Sequence, residues 1–197
     1  VKTLKTTATL LSFLIMTSCG ESAGDFTSKE LSLIHSTDSI MRVLTIDNPA
    51  DSLVLRDVST DLSAEALLSE DFAKLSDLMT ATVTHPSQDG VGIAGPQVGL
   101  NRRVVAVQRF DKEGEPFEVY PNISIVWASD SSAYGPEGCL SVPGRRGEVL
   151  RSQEIVIEYD KITESVETVR DTISGFTAVI FQHEIDHLDG VLYIDRL

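Results

Sequence analysis

Basic residues are scarce in this chain. Its 197 residues include 16 lysines and arginines against 30 aspartates and glutamates, and the formal net charge is −14. A surface that binds nucleic acid has to neutralise phosphates, yet no run of lysine or arginine interleaved with aromatic residues occurs in the sequence. We therefore expect no nucleic-acid partner.

Long apolar runs are also lacking. The run over residues 8–16 is too short for a comfortable membrane span, but it follows two lysines and precedes small residues and Cys19. That three-part layout is typical of a secretory signal, and its ending, MTSC, resembles a bacterial lipoprotein signal, in which cleavage leaves the cysteine as a lipid-modified N-terminus. Met16 is a departure, since leucine is usual three places before such a cysteine.

We expect residues 1–19 to be a lipoprotein-like signal peptide. The protein would then be exported and held at a membrane through a lipid on Cys19, in the periplasm or at the cell surface. An uncleaved anchor or a misassigned start is the alternative.

Cysteine is nearly absent, since only Cys19 and Cys139 occur. If Cys19 carries a lipid, Cys139 has no partner for an intramolecular disulfide, and a lone thiol in an exported protein needs another explanation. Its context, PEGCLSVPG, is punctuated by glycine and proline and predicts a shaped loop and not a core strand. The alternative is that Cys139 is a small buried hydrophobic residue.

The rest of the chain predicts one α+β domain over residues 41–197. Residues 20–40 are polar and serine-rich without sustained periodicity, which predicts a tether. Apolar residues at helical spacing (Leu68, Phe72, Leu75 and Met79) predict a helix within residues 64–83, capped by Ser63 or Ser69. Segments rich in β-branched residues predict strands within residues 102–110, 120–129 and 154–160. Helices and short strands alternate without a regular βαβ period, which favours α+β.

The segment FQHEIDHLDG spaces His183 and His187 four residues apart, with Glu184 between them. On a helix the two imidazoles share a face, so two metal ligands and a base stand together. We expect Ser174 to cap this helix and Gly190 to stop it, with one face formed by Phe176, Val179, Ile180 and His183. A catalytic metal then needs a third protein ligand and an open position for water, and the thiolate of Cys139 is the candidate.

A third segment, DGVGIAGPQVGL, combines four glycines with one amide side chain. The glycines allow a close backbone approach, and Gln97 supplies a donor in an otherwise apolar loop. The spacing G-x-G-x-x-G occurs, but no strand of adequate length precedes it and no helix pattern follows, so we do not expect a phosphate-binding loop. A tight structural turn is the alternative.

The segments GVGIAGPQVG, EGCLS and QHEIDH, in this order, closely resemble the three motifs of the peptide deformylases. These are bacterial metalloenzymes that remove the N-formyl group from formyl-methionyl peptides and release formate. The resemblance covers about residues 41–197. It implies an α+β fold in which the HExxH helix lies centrally against mostly antiparallel sheets.

The resemblance also implies three groups of site residues. The implied metal ligands are Cys139, His183 and His187. The implied catalytic groups are Glu184 as acid/base, with Gln97 and the backbone N–H of Leu140 as donors to the oxyanion. The implied substrate-binding residues are Val91, Gly92 and Arg146.

The metal implied by the resemblance is a single divalent ion. The family generally uses Fe(II), and a thiolate with two imidazoles suits Fe(II) and Zn(II) alike. Export would favour zinc, because ferrous iron and an unpaired thiolate are both oxidisable outside the cytosol.

One departure and two alternatives accompany this interpretation. Gly95 stands where the family most often has alanine, and we expect the missing methyl group to loosen the loop that carries Gln97 and to lower the rate. The first alternative is an exported formyl-peptide binding protein without activity. The second is an HExxH metallopeptidase, whose third ligand would follow the helix, where only Asp189 and Asp195 are available.

Overall fold

The computed structural model describes residues 25–197. The expected signal peptide and its Cys19 lie outside the described residues, so export and the lipid anchor stay predictions. Within residues 25–197, no helix has both the length and the apolar character needed to cross a membrane.

Eight strands form three antiparallel sheets in the described part of the chain. The sheets have the orders β1-β2-β3, β4-β7-β8 and β5-β6. The strand bounds are β1 Gly92–Ala94, β2 Val104–Gln108, β3 Phe117–Pro121, β4 Ser124–Ala128, β5 Ser132–Cys139, β6 Val142–Ser152, β7 Glu154–Ile162 and β8 Val166–Ser174. The strands predicted from β-branched residues are therefore present.

Five α-helices and two 3₁₀ helices accompany these sheets in the described residues. The described α-helices are α1 Ser28–Ile34, α2 Pro49–Leu55, α3 Ala64–Leu67, α4 Glu70–Thr84 and α5 Gly175–Leu188. Two short 3₁₀ helices cover Gly95–Val98 and Tyr193–Arg196. Helix α5 contacts strands of all three sheets, which confirms the expected α+β fold with the HExxH helix at its centre.

Strand β2 divides the core because both of its faces are buried. Val104 and Ala106 belong to the apolar cluster that includes the buried face of α4. Val105 and Val107 alternate with them and pack in the cluster that includes Phe181 of α5. The HExxH segment of α5 is therefore held in place by close packing against β2.

The helix predicted within residues 64–83 is two helices. Ser63 caps α3 by accepting a hydrogen bond from the N–H of Ala66, and Ser69 caps α4 by accepting from the N–H of Phe72. Because both candidate caps are used, the helix is interrupted at Leu68, whose side chain is exposed.

The tether predicted over residues 20–40 is wrong for the residues described there. Helix α1 begins at a capping box in which Thr27 and Glu30 satisfy each other's backbone N–H groups. Ile34 is fully buried in the core, and Arg102 donates to Glu30 at 2.7 Å. The serine-rich composition concealed a short amphipathic helix that packs against α4.

Two local predictions near the site are also corrected. The EGCLS segment is not an irregular loop, since Cys139 ends β5 and the chain turns through Leu140 and Ser141 into β6. Ser174 does precede α5, but its hydroxyl donates to Glu154 at 3.0 Å and does not cap the helix. Helix α5 ends at Leu188 and Gly190 has a φ of +71°, as expected for a glycine that stops a helix.

Candidate active site

Three potential metal ligands converge between α5 and the β5–β6 hairpin. His183 and His187 lie one turn apart on α5, and Cys139 reaches them from the end of β5. Their ligand atoms all lie within 4.8 Å of one another, and the Cys139 Sγ is 3.2 Å from the His187 Nε2. One thiol and two imidazoles on this scale fit a divalent first-row metal.

Glu137 orients one of these histidines. Its Oε2 lies 2.7 Å from the Nδ1 of His183, and because a carboxylate can only accept, Nδ1 carries the proton and Nε2 is left for the metal. Arg151 holds Glu137 with two hydrogen bonds of 2.7 and 3.1 Å and also donates to Asp186 at 2.6 Å. This buried network of ion pairs holds the imidazole of His183 in one orientation.

Sequence reasoning missed Glu137, although the signal was present. Glu137 stands two residues before Cys139, so both side chains point to the same side of β5. Alternation along a strand reveals this placement, but the glycines and prolines around Cys139 predict a loop.

The electrostatics of the histidines and Glu137 follow from burial and from these partners. Burial alone would raise the pKa of Glu137, but hydrogen bonds from His183 and Arg151 lower it to about 2. Burial alone would lower the pKa of His183, but hydrogen bonds with Cys139 and Glu137 raise it to about 10 in the metal-free site, so a binding metal would displace the proton from Nε2. The pKa of His187 falls well below 6.5, chiefly through burial. His187 is therefore a neutral imidazole, the form that binds a metal.

We predict that Glu137→Gln weakens metal binding about 10- to 100-fold, because an amide orients the Nδ1–H of His183 less strongly than a carboxylate. The measurement is a competition titration of Zn(II) against a chelator. Glu148→Gln, an exposed change on β6 of the same hairpin, is the control. Equal zinc affinities for both variants would show that Glu137 does not tune the ligand.

Glu184 lies next to the potential metal ligands, and no hydrogen bond from the described residues holds its carboxylate. Its Oε2 is buried and forms no hydrogen bond with the described residues. Burial raises the pKa of Glu184 to about 7. A side chain on Gly92 would have its Cβ 2.5 Å from the Glu184 Oε1, so Gly92 leaves the space that the carboxylate occupies. The geometry suits a group that accepts and returns a proton near neutral pH.

Gln97 is oriented by the backbone of its own loop. Its Oε1 accepts from the N–H of Ala94 at 2.8 Å, which turns the Nε2 donor towards the Ser141 Oγ at 3.2 Å and the Cys139 Sγ at 3.6 Å. Ser141, which sequence reasoning also missed, is fully buried, and its backbone N–H donates to Cys139 at 3.4 Å. The amide of Gln97 is thus aimed at the ligand set.

The structure corrects the expectation for Gly95. A Cβ at this position would lie 2.7 Å from the carbonyl oxygens of both Leu100 and Arg102, closer than real Cβ atoms come to such neighbours. The close backbone approach at the start of the 3₁₀ helix Gly95–Val98 therefore leaves no space for the methyl group of alanine.

A cleft of about 870 Å³ opens beside the ligands. All the implied site residues except His187 line it: Val91, Gly92, Gln97, Cys139, Leu140, Arg146, His183 and Glu184. His187 is almost fully buried behind them. The face of α5 expected from spacing also lines this cleft through Phe176, Val179, Ile180 and His183. A cleft of this size accommodates a short peptide.

A family model described as polypeptide deformylase matches residues 40–197. The chain belongs to the peptide deformylase family. Curated peptide deformylases of similar sequence include that of Leptospira biflexa serovar Patoc (strain Patoc 1), which is 36% identical over 167 residues, with 81% of this chain and 88% of the relative covered. That of Caulobacter vibrioides is 38% identical over 161 residues, with 81% and 88% covered.

Solved deformylase structures agree with the fold. The class I type b peptide deformylase of Acinetobacter baumannii, bound to Met-Ala-Ser, has a TM-score of 0.71 and 34% identity and covers 82% of this chain and 100% of its own. The same enzyme bound to actinonin has a TM-score of 0.69, 34% identity and coverages of 81% and 99%. The peptide deformylase of Thermotoga maritima has a TM-score of 0.68, 33% identity and coverages of 80% and 97%. The prediction of a metal-dependent peptide deformylase enzyme is confirmed.

Proposed function

We propose that this chain removes the formyl group from formyl-methionyl peptides, with formate and a free N-terminus as products, and that it does so outside the cytosol. The observation that carries the reaction is the convergence of Cys139, His183 and His187 beside the buried Glu184. Family membership supports removal of an N-formyl group from nascent peptides. The metallopeptidase alternative is disfavoured, because the third ligand comes from β5 and not from residues after α5.

Each group of residues has a distinct role in the proposed hydrolysis. Cys139 and the two histidines would hold one divalent ion, Fe(II) or Zn(II), which when bound activates water and polarises the formyl oxygen. Glu184 accepts the proton of the attacking water and returns it to the departing amine. Gln97 Nε2 and the N–H of Leu140 donate to the oxygen on which negative charge develops.

Substrate binding is proposed for Val91, Gly92 and Arg146, all of which line the cleft. The Met-Ala-Ser peptide bound by the Acinetobacter baumannii enzyme supports a peptide in this cleft. The formyl carbon carries only hydrogen, so a narrow pocket can admit it and exclude an acetyl group.

The test of the reaction is formate release from formyl-Met-Ala-Ser by the protein prepared anaerobically. Chelation should abolish turnover, and Fe(II) and Zn(II), added separately to the stripped protein, should restore it and show which metal supports the higher rate. A folded, metal-loaded protein that releases no formate with either metal would contradict the proposed reaction and favour the binding-protein alternative.

The location outside the cytosol is proposed from residues 1–19 alone. Nascent formylated chains are made on cytosolic ribosomes, so an exported member would act on released or secreted formyl-peptides. Fractionation of cells that produce the full chain, beside Cys19→Ala, tests this: we expect the parent chain in the membrane fraction with its first residues removed. An intact chain in the cytosol would contradict export.

A further inference from the structure

Two neighbouring arginines at the cleft, Arg145 and Arg146, form no ion pair with any residue between 25 and 197. Each of the other arginines in this range pairs with a carboxylate: Arg42, Arg56, Arg102, Arg103, Arg109, Arg151, Arg170 and Arg196. In a chain of net charge −14, acidic partners are abundant. The two unpaired guanidinium groups are therefore free to bind an anionic group of a ligand in the cleft.

The hairpin places these charges at the cleft by breaking its register. Gly138 pairs with Arg146, whereas the next residue, Cys139, pairs with Val142. Residues 143–145 are left without partners across the hairpin, and Gly144 turns them with a φ of +70°. This bulge carries Arg145 on the rim of the cleft, where its side chain is exposed.

Arg146 lies close to the ligand end of the same cleft. A Cβ on Gly138 would be 3.6 Å from the Cγ of Arg146 and 3.9 Å from its Nε, so the arginine extends alongside Gly138, the neighbour of Cys139. The positive charge of Arg146 thus lies beside the neighbour of a metal ligand, and that of Arg145 lies farther out on the rim of the cleft. A peptide with its formyl group at the ligands therefore lies in the same cleft as this charge.

We propose that Arg145 and Arg146 together bind a carboxylate of the substrate. The preferred substrates are then short formyl-peptides that present a free C-terminal carboxylate or an acidic side chain. Guanidinium groups match a carboxylate in geometry and charge, and the negative surface elsewhere would repel such a group, so this corner of the cleft also orients the peptide. This inference rests on the proposed function and adds Arg145 and the carboxylate to it.

The experiment compares kcat/KM for formyl-Met-Ala-Ser, its C-terminal amide and formyl-Met-Ala-Asp amide. We expect either carboxylate to raise kcat/KM about two- to fivefold over the Ser amide, mainly through KM, as for an exposed pair of charges. The advantage should shrink with added salt. An advantage of the free acid alone would identify the C-terminal carboxylate as the ligand, and one of the Asp amide alone would identify the side chain.

Arg145→Gln should reduce this discrimination, and Arg145→Gln with Arg146→Gln should remove it. Arg170→Gln removes the same charge from β8, outside the cleft, and should leave the discrimination unchanged. Equal kcat/KM for all three peptides would overturn the inference. Calorimetric Kd values for unformylated Met-Ala-Ser and its amide separate this from the proposed function, since equal values would overturn the inference even in a protein that releases no formate.

Discussion

Glu184→Gln should abolish formate release while leaving the metal bound. Glutamine keeps the shape of the side chain next to Gly92, but its amide cannot accept the proton of an attacking water. The loss of a placed acid/base lowers kcat by about 10² to 10⁴-fold. The metal should stay, because Glu184 is not among the three residues whose ligand atoms converge. The measurements are kcat for formyl-Met-Ala-Ser and metal content per chain.

Glu167→Gln, an exposed change on β8, is the matched control and should keep the parent rate. Glu184→Gln should also unfold at no lower temperature than the parent, because the substitution replaces a buried carboxyl group that has an unpartnered oxygen. Glu184→Gln with parental kcat would mean that the proton moves through another group. Loss of metal together with activity would mean that Glu184 is needed for the site to assemble.

The central helix and its ligands could be predicted because their signal is local. His183, Glu184 and His187 are four residues apart at most, and the helical period alone decides that the two histidines share a face with Glu184 beside them. The strands of the core were equally accessible, since β2 is a short run of β-branched and small residues between turns. Three ordered motifs then carried the resemblance to a family.

The remainder depends on contacts that no local pattern contains. Glu137 could be assigned only after β5 was known to be a strand, and its role needs Arg151 from the opposite strand and His183 from α5. The position of Ser141 under Gln97 arises where the hairpin meets the glycine-rich loop. Helix α1 carries a local signal in its Thr27–Glu30 capping box, but a helix of seven residues is marginal alone, and its stability comes from packing and from Arg102, far along the chain.

Gly95→Ala should impair catalysis even though alanine is the residue that the family most often has there. The new Cβ would lie 2.7 Å from the carbonyl oxygens of Leu100 and Arg102, and both belong to backbone, which cannot rotate away as a side chain would. The 3₁₀ helix that begins at this residue must then shift and take Gln97 with it. Since removing or misplacing an oxyanion donor costs about 10²-fold or more, we expect kcat to fall by that order with metal affinity unchanged.

Gly135→Ala is the control, because a Cβ there meets nothing within 4 Å and Gly135 lies on β5 outside the cleft. Both variants should fold, and their urea unfolding curves would measure how much the displaced loop costs in stability. A Gly95→Ala enzyme with parental kcat would mean that Leu100 and Arg102 yield to the methyl group without moving Gln97. In that case the glycine is one accepted solution at this position, and the aim of the amide is set by its bond to the N–H of Ala94 alone.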